Sequence, residues 1–270
     1  MQGTLGEKIG EGAFAEVHAW APGRVLKLFK PGLPRRHAWW EARMTRAVSA
    51  AGAPAPEVFE EVTLEGRFGV VMERLDGPTL LELSRSGAMT RKATGAILAG
   101  LAMAVHKTPP PPELPSLNES ITSELRLAGG ALPEHIAAGI VALVGRLTDD
   151  GLCHGDLHPG NVVMAADGPR LIDWGGVLRA PGVLDLACCH IILTELAPES
   201  ADDPQRPREV NAAAQAAYAR LAGRSPAALA AEMAPYLTIL RARNLLGPTQ
   251  NAALRQRQIQ RLEAALRSAT

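Results

Sequence analysis

Cysteine is scarce in this chain of 270 residues: only Cys153, Cys188 and Cys189 occur, two of them adjacent. They cannot build a disulfide framework, so buried free thiols are expected. Net charge is missing as well, because 28 basic and 28 acidic side chains cancel. A dominant electrostatic footprint for nucleic acid is therefore not expected. Long apolar runs are absent too. The longest, Ala96 to Val105 with Gly100 inside it, is well short of the roughly 20 residues that cross a bilayer. The start, Met1 to Glu7, has neither the basic residues nor the apolar stretch of a secretory signal. A cytoplasmic protein with no membrane or nucleic-acid partner is the expectation, its oligomeric state left open. What is present is an ordinary globular composition, 47% apolar and 21% charged, enough for one large or two small cores.

The first quarter reads as strands. Ala15, Val17 and Ala19 alternate with Glu16, His18 and Trp20, and after Pro22-Gly23 the run Arg24 to Phe29 reads as a second strand. From about Pro34 to Ala51 the spacing turns helical, with Trp40, Met44, Val48 and Ala51 on one stripe and a stop at Gly52 and Pro54. Two further strands, 57–64 and 67–72, flank a Glu65-Gly66 turn. Beyond Pro78 the chain is rich in Ala and Leu. Helices are expected over about 88–107, 119–129, 133–149, 182–195, 208–222, 226–243 and 249–268, with a β-like island at 161–174. The join between the β-rich and α-rich parts falls near residue 76.

Gly10-Glu11-Gly12-Ala13-Phe14-Ala15-Glu16-Val17 admits two readings. A Gly-rich hairpin turn is the commoner; the other is a loop whose backbone approaches a phosphate closely. A dinucleotide-binding fold fits poorly, since a strand and not a helix follows. Lys27 sits in an apolar strand on the side of Val25 and Phe29. Such a lysine is paired, snorkelling or functional, and Glu41 in the next helix is a candidate partner; an exposed edge lysine is the alternative.

The strongest signal is Cys153-His154-Gly155-Asp156-Leu157-His158-Pro159-Gly160-Asn161, followed by Leu171-Ile172-Asp173-Trp174-Gly175. Phosphoryl transfer needs a carboxylate to orient and deprotonate the attacking hydroxyl, and an Asn oxygen with a second carboxylate to hold Mg²⁺ at the phosphates. Asp156 fits the first role, Asn161 and Asp173 the second. In the alternative reading Asp156 caps a turn and Asp173 ends a strand.

Taken in order, the Gly loop, strand Lys, helix Glu, His-x-Asp-x-x-x-x-Asn and Asp-Trp-Gly resemble the protein-kinase-like fold. His154 to Asn161 and Ile172-Asp173-Trp174 are most similar to the aminoglycoside phosphotransferase and choline kinase family, as are Asp185-Leu186-Ala187 and the helix end at His106. The resemblance implies an α+β bilobal fold, with a small N-lobe, 1–75, and a larger helical C-lobe, 76–270, holding the catalytic loop, the metal site and the acceptor pocket. It implies ATP or GTP as co-substrate with Mg²⁺, and a hydroxyl-bearing small molecule, such as an aminoglycoside or another antibiotic, as acceptor. Gly10, Gly12, Ala13, Phe14 and Val17 would cover the nucleotide, Lys27 would bind its α- and β-phosphates while paired with Glu41, and Met72, Glu73 and Leu75 would cradle the base. Asp156 would be the catalytic base. Ala15 stands where the family has a third glycine, and Gly175 where it often has an acidic residue.

A protein kinase is the nearest competitor. Only eleven residues separate Asp173 from Asp185, none of them Ser, Thr or Tyr, which leaves no room for a phosphorylated activation loop. A nucleotide-binding scaffold without activity is disfavoured by the presence of Lys27, Asp156, Asn161 and Asp173. Zinc at Cys153-His154 or Cys188-Cys189-His190 is disfavoured because neighbouring side chains diverge. Glu195, Glu199, Asp202 and Asp203, in or beside a loop at 197–207, would suit a polycationic acceptor; a plain solvated loop, with a neutral or singly charged alcohol such as a macrolide, a sugar or a choline-like metabolite, is the alternative.

Overall fold

The alternating residues of the first quarter form β1 (Lys8–Glu11), β2 (Ala15–Ala21), β3 (Arg24–Phe29), β4 (Val58–Leu64) and β5 (Arg67–Glu73). They make one antiparallel sheet in the order β1-β2-β3-β5-β4. The computed structural model describes residues 5–197, 203–247 and 252–268. Side chains of successive strand residues point to opposite faces. Val25 and Phe29 accordingly join Ala15, Val58, Val70 and Met72 on one face, covered by Ala38 and Ala42 of helix α1 (Arg35–Ala50). Leu26, Leu28 and Val71 occupy the other, packed with Trp20, Phe59, Val62 and Leu64. Each fully buried aliphatic side chain contributes about 1.5–3 kcal/mol. A one-residue slip of β3 would exchange its two faces and carry Lys27 away from α1, so packing fixes the register.

The turns follow the sequence. Glu65 (φ 51°) and Gly66 (φ 76°) are both left-handed, as a two-residue hairpin turn requires, and α1 stops just before Gly52 (φ 92°). Beyond β5 the elements depart from expectation in places. A short helix, α2 (Leu80–Ser86), was not anticipated; Thr79 and Glu82 close a capping box at its start and Gly87 ends it in the left-handed region. Helix α3 (Arg91–Lys107) begins after Thr90, whose hydroxyl accepts from the Ala93 amide. Next come α4 (Leu117–Leu127) and α5 (Glu134–Val144). The latter ends before residue 149 because the Arg146 and Leu147 amides turn back to Leu143 and Val144, three residues away. The remaining elements are β6 (Leu152–Cys153), β7 (Val162–Ala165), β8 (Gly168–Leu171), β9 (Leu178–Arg179), α6 (Val183–Ile191), α7 (Gln205–Leu221), α8 (Pro226–Asn244) and α9 (Ala252–Ser268). Helix α6 continues as a π-helical turn over Ile192–Leu196.

By internal packing these elements fall into two units, Met1–Ala88 with Pro159–Val177, and Met89–His158 with Leu178–Thr270. The first holds the five-stranded sheet, α1, α2 and the β7–β8 hairpin. Main-chain bonds tie that hairpin to earlier segments: Met164 N to Pro78 O (2.9 Å) and Leu171 N to Pro54 O (2.8 Å). Gly77 (φ 154°) lies under the hairpin, where a Cβ would stand 2.1 Å from the Met164 carbonyl oxygen; only glycine fits there. In the second unit α3 packs along α7, α6 on α8 and α5 on α9, while β6 pairs with β9. All four tryptophans and all four phenylalanines fall in the first unit, both tyrosines and all three cysteines in the second. Among the described residues no helix is long and apolar enough to cross a membrane.

Candidate active site

The expected pair of Lys27 and Glu41 is present. Alternation along β3 turns Lys27 toward α1, whose inner face carries Glu41 between buried Ala38 and Ala42. Lys27 Nζ donates to Glu41 Oε1 at 2.6 Å and to Asp173 Oδ1 at 3.1 Å. Burial works against the ammonium, but the two carboxylates outweigh it and hold the lysine pKa above its ordinary value. For Glu41 burial is the largest influence and raises the carboxyl pKa, with Lys27 opposing and Asp173 reinforcing the rise. Two carboxylates share one ammonium, leaving one net negative charge when all are ionised. Such a cluster attracts a cation.

Asp173 follows β8 in a left-handed conformation, φ 66° and ψ 61°. A non-glycine residue held there costs about 1–3 kcal/mol and is found where surrounding contacts impose it, often at functional sites. The contacts are visible on both sides. Trp174 is fully buried and donates from Nε1 to Leu171 O at 2.8 Å, while Trp40 Nε1 donates to Gly175 O at 3.0 Å. Trp40 was expected only as part of the apolar stripe of α1; its neighbour Glu41 was the one signal that its position mattered. Asn161 ends a single 3₁₀ turn, Pro159–Asn161, and is buried; its carbonyl accepts the Ile172 amide at 3.0 Å. Since Val162 pairs with Leu171, Asn161 and Asp173 flank the open end of the same hairpin.

The Gly loop is the β1–β2 turn, closed by Gly12 N donating to Ala15 O at 2.8 Å. Gly10, Gly12, Ala13 and Phe14 lie along it, Phe14 exposed at its tip, and Val17 packs under the sheet. Ala15, the position of the family's third glycine, is buried in that core, so a side chain is wanted there. At the far end of the sheet Met72 is buried, and the Glu73 carboxylate accepts the Glu57 amide and Arg170, each at 3.0 Å. Leu75 follows, half-buried. Lys27, Glu41, Asn161, Asp173, the loop and the Met72–Leu75 stretch thus all belong to the first unit.

Asp156 belongs to the second unit. Its amide donates to His154 Nδ1 at 3.3 Å, and its carboxylate, half exposed, lies 3.7 Å from His158 Nε2. The loop before it is held from below by Asp185, fully buried in α6, whose oxygens accept the amides of His154 (2.9 Å) and Gly155 (2.8 Å). His106 Nε2 bonds Asp185 at 3.2 Å and His106 Nδ1 the Tyr218 hydroxyl at 2.9 Å. Burial disfavours the Asp185 carboxylate, yet His106, His154 and the Gly155 amide outweigh it and hold its pKa below the ordinary value. Gly182 keeps this arrangement open, since a Cβ there would lie 2.3 Å from His106 Nδ1. Cys153 joins His106 and Asp185 in a cluster of potential ligand atoms within 4.8 Å of one another. Its buried thiol is pushed well above its usual pKa and donates to Ala180 and Pro181 carbonyls, so these atoms already serve one another and the backbone.

Of the four carboxylates singled out for an acceptor, two have arginine partners. Glu195 takes a two-pronged contact from Arg241, with Nη2 at 2.6 Å and Nε at 3.0 Å, and Asp203 bonds Arg91 at 2.7 Å. Glu199 and Asp202 lie outside the described residues. The segment expected as loop through Pro207 is already helical from Gln205.

A model of the phosphotransferase enzyme family matches residues 9–224. The chain belongs to that family. Its fold agrees with solved members. An aminoglycoside-3'-phosphotransferase of type VIII has a TM-score of 0.64 at 24% identity, with 91% of this chain and 93% of that one covered. A choline/ethanolamine kinase family protein from Mesorhizobium loti scores 0.59 at 16% identity, covering 98% and 88%. Aminoglycoside phosphotransferase APH(3'')-Id from Streptomyces rimosus, in complex with ADP and streptomycin, scores 0.55 at 22% identity, covering 82% and 90%. The kinase-like α+β fold expected from the sequence is therefore the fold observed. A curated relative, the probable serine/threonine-protein kinase PkwA of Thermomonospora curvata, is 44% identical over 61 residues; the match spans 23% of this chain and 8% of that protein's length.

Proposed function

We propose that this phosphotransferase moves the γ-phosphoryl group of ATP or GTP to a hydroxyl of a small molecule. The observation that carries the reading is Lys27 bonded to both Glu41 and Asp173, within the family-matched part of the chain. Lys27 holds the α- and β-phosphates and Glu41 keeps its ammonium in place. Gly10, Gly12, Ala13, Phe14 and Val17 cover the nucleotide, and the backbone of Met72, Glu73 and Leu75 lines the base. Asn161 and Asp173 offer oxygen donors of the kind Mg²⁺ prefers; when bound there the ion neutralises phosphate charge. Asp156 orients the acceptor hydroxyl and takes its proton as the oxygen bonds to phosphorus and the diphosphate leaves. The buried free thiols suit a cytoplasmic setting.

For the acceptor, the arginine partners of Glu195 and Asp203 favour a neutral or singly charged alcohol over a polycation, because a carboxylate already paired offers an ammonium little net attraction. The test is a panel of aminoglycosides, macrolides, sugars and choline-like alcohols, with Mg²⁺ and either nucleotide, measuring phosphate transfer. Transfer to one class, abolished by Asp156→Asn, is expected. Nucleotide binding with neither hydrolysis nor transfer would favour a scaffold instead.

A further inference from the structure

Arg170 lies on β8, three residues before Asp173, and ties three stretches of the first unit together. Its Nη2 donates to Glu73 Oε2 (3.0 Å) at the end of β5 and to the Ala55 carbonyl (2.7 Å) in the connection from α1 to β4; its Nη1 donates to Asp167 Oδ2 (3.0 Å) in the hairpin turn. The same Glu73 oxygen accepts the Glu57 amide at 3.0 Å. Next along β8, Leu171 N reaches Pro54 O and Ile172 N reaches Asn161 O. The Arg170 side chain is 20% exposed, so solvent and salt screen these bonds less than those of a surface pair.

We infer that Arg170 is a positioning residue that sets the separation between the end of β5 and the hairpin carrying Asn161 and Asp173. The inference rests on the reading above, in which the first of these holds the base and the second the metal. A nucleoside polyphosphate spans both places at once. Its two ends are bound together at full strength only if the protein holds the two anchor points at a fixed distance before the ligand arrives. The points lie on stretches far apart in sequence, and the main-chain ties described for the hairpin run to Pro54, Pro78 and Thr79, none of them in β5. A planar guanidinium that donates in two directions from a rigid fork can set such a spacing; a lysine carries its donors on a single atom at the end of a flexible stem and fixes no such fork.

The experiment compares the wild type with Arg170→Lys and Arg170→Met by calorimetric titration. The probes are Mg·ADP or Mg·GDP, whichever the wild type binds, and the matching nucleoside, which touches only the base site. Positioning predicts that Arg170→Met loses about tenfold or more in Mg·nucleotide affinity, keeps nucleoside affinity within about twofold, and is partly rescued by Arg170→Lys. In turnover the KM for nucleotide should rise while that for the acceptor stays. Equal losses for nucleoside and Mg·nucleotide, or a lower melting temperature with neither affinity changed, would overturn the inference and leave Arg170 as a stabilising residue only. Should Arg170→Met not fold, Arg170→Gln, which keeps a polar side chain but loses the guanidinium fork, is judged by the same selective loss. A wild type that binds no Mg·nucleotide sinks the proposed function, and this inference with it; a defect confined to the variants leaves that function standing.

Discussion

At the residue scale the two halves of the proposed chemistry fall on different side chains and should separate under mutation. Asp156→Asn is expected to lower turnover by about 100-fold or more, the contribution of a positioned base, with nucleotide affinity nearly unchanged; Asp173→Ala should instead weaken Mg²⁺-dependent nucleotide binding. Titration calorimetry and initial rates on the two variants check this. Asp185 makes a separate prediction. Its pKa is lower in the folded protein than in the unfolded chain, so its stabilisation is complete above the unfolded value of about 3.9 and fades as pH falls through the folded one. Asp185→Ala should cost about 3–5 kcal/mol near neutral pH, since it leaves His106 and two buried amides without their acceptor. Below about pH 4 its stability should fall less steeply than the wild type's, as denaturant midpoints across pH would show. Lys27, Glu41, Asp156, Asn161 and Asp173 could be singled out because those residue types in that order resemble the motifs of kinase-like phosphotransferases, and the contacts of Lys27 with Glu41 and Asp173 followed from them. Trp40 and Arg170 were not, because their partners, Gly175, Ala55 and Glu73, come from distant parts of the chain and no local pattern announces them.

At the element scale, strands and long helices followed the spacing of apolar residues, and short or irregular elements did not. Helix α2 has only seven residues, too few for a helical period to stand out, although its Thr79-x-x-Glu82 capping box was readable. The π turn after α6 depends on hydrogen bonds that no composition predicts. Helix α1 shows the opposite case, a helix made by packing despite its ends. Its N-cap, Pro34, offers no side-chain bond, its first turn holds no acid, and Arg35 and Arg36 open it. Positive charge at a helix start opposes the macrodipole. Arg36→Glu, at an exposed position, should therefore stabilise the protein by about 0.3–1 kcal/mol at low salt, with the gain shrinking as ionic strength rises. Denaturant melts at two salt concentrations are the check; a loss of stability would mean that Arg36 makes a contact worth more than the dipole term.

At the scale of the whole molecule, the change from strand-rich to helix-rich sequence was visible, and the interleaving was not. Pro159–Val177 packs with Met1–Ala88 through main-chain bonds to Pro54 and Pro78, which any residue type could make. The division sorts the optical and chemical probes of the chain. Every tryptophan lies in the unit proposed to bind nucleotide and every thiol in the unit that carries Asp156, so the natural sequence is already doubly labelled. Indole fluorescence reports the first unit and thiol accessibility to a coloured reagent the second, with no engineered dye. Saturating Mg·nucleotide should raise the temperature of the indole transition, by the linkage between binding and folding. Thiol release recorded in the same melt then measures how much of that stabilisation reaches the other unit. An indole transition that ignores nucleotide at saturating concentration would mean the ligand binds elsewhere.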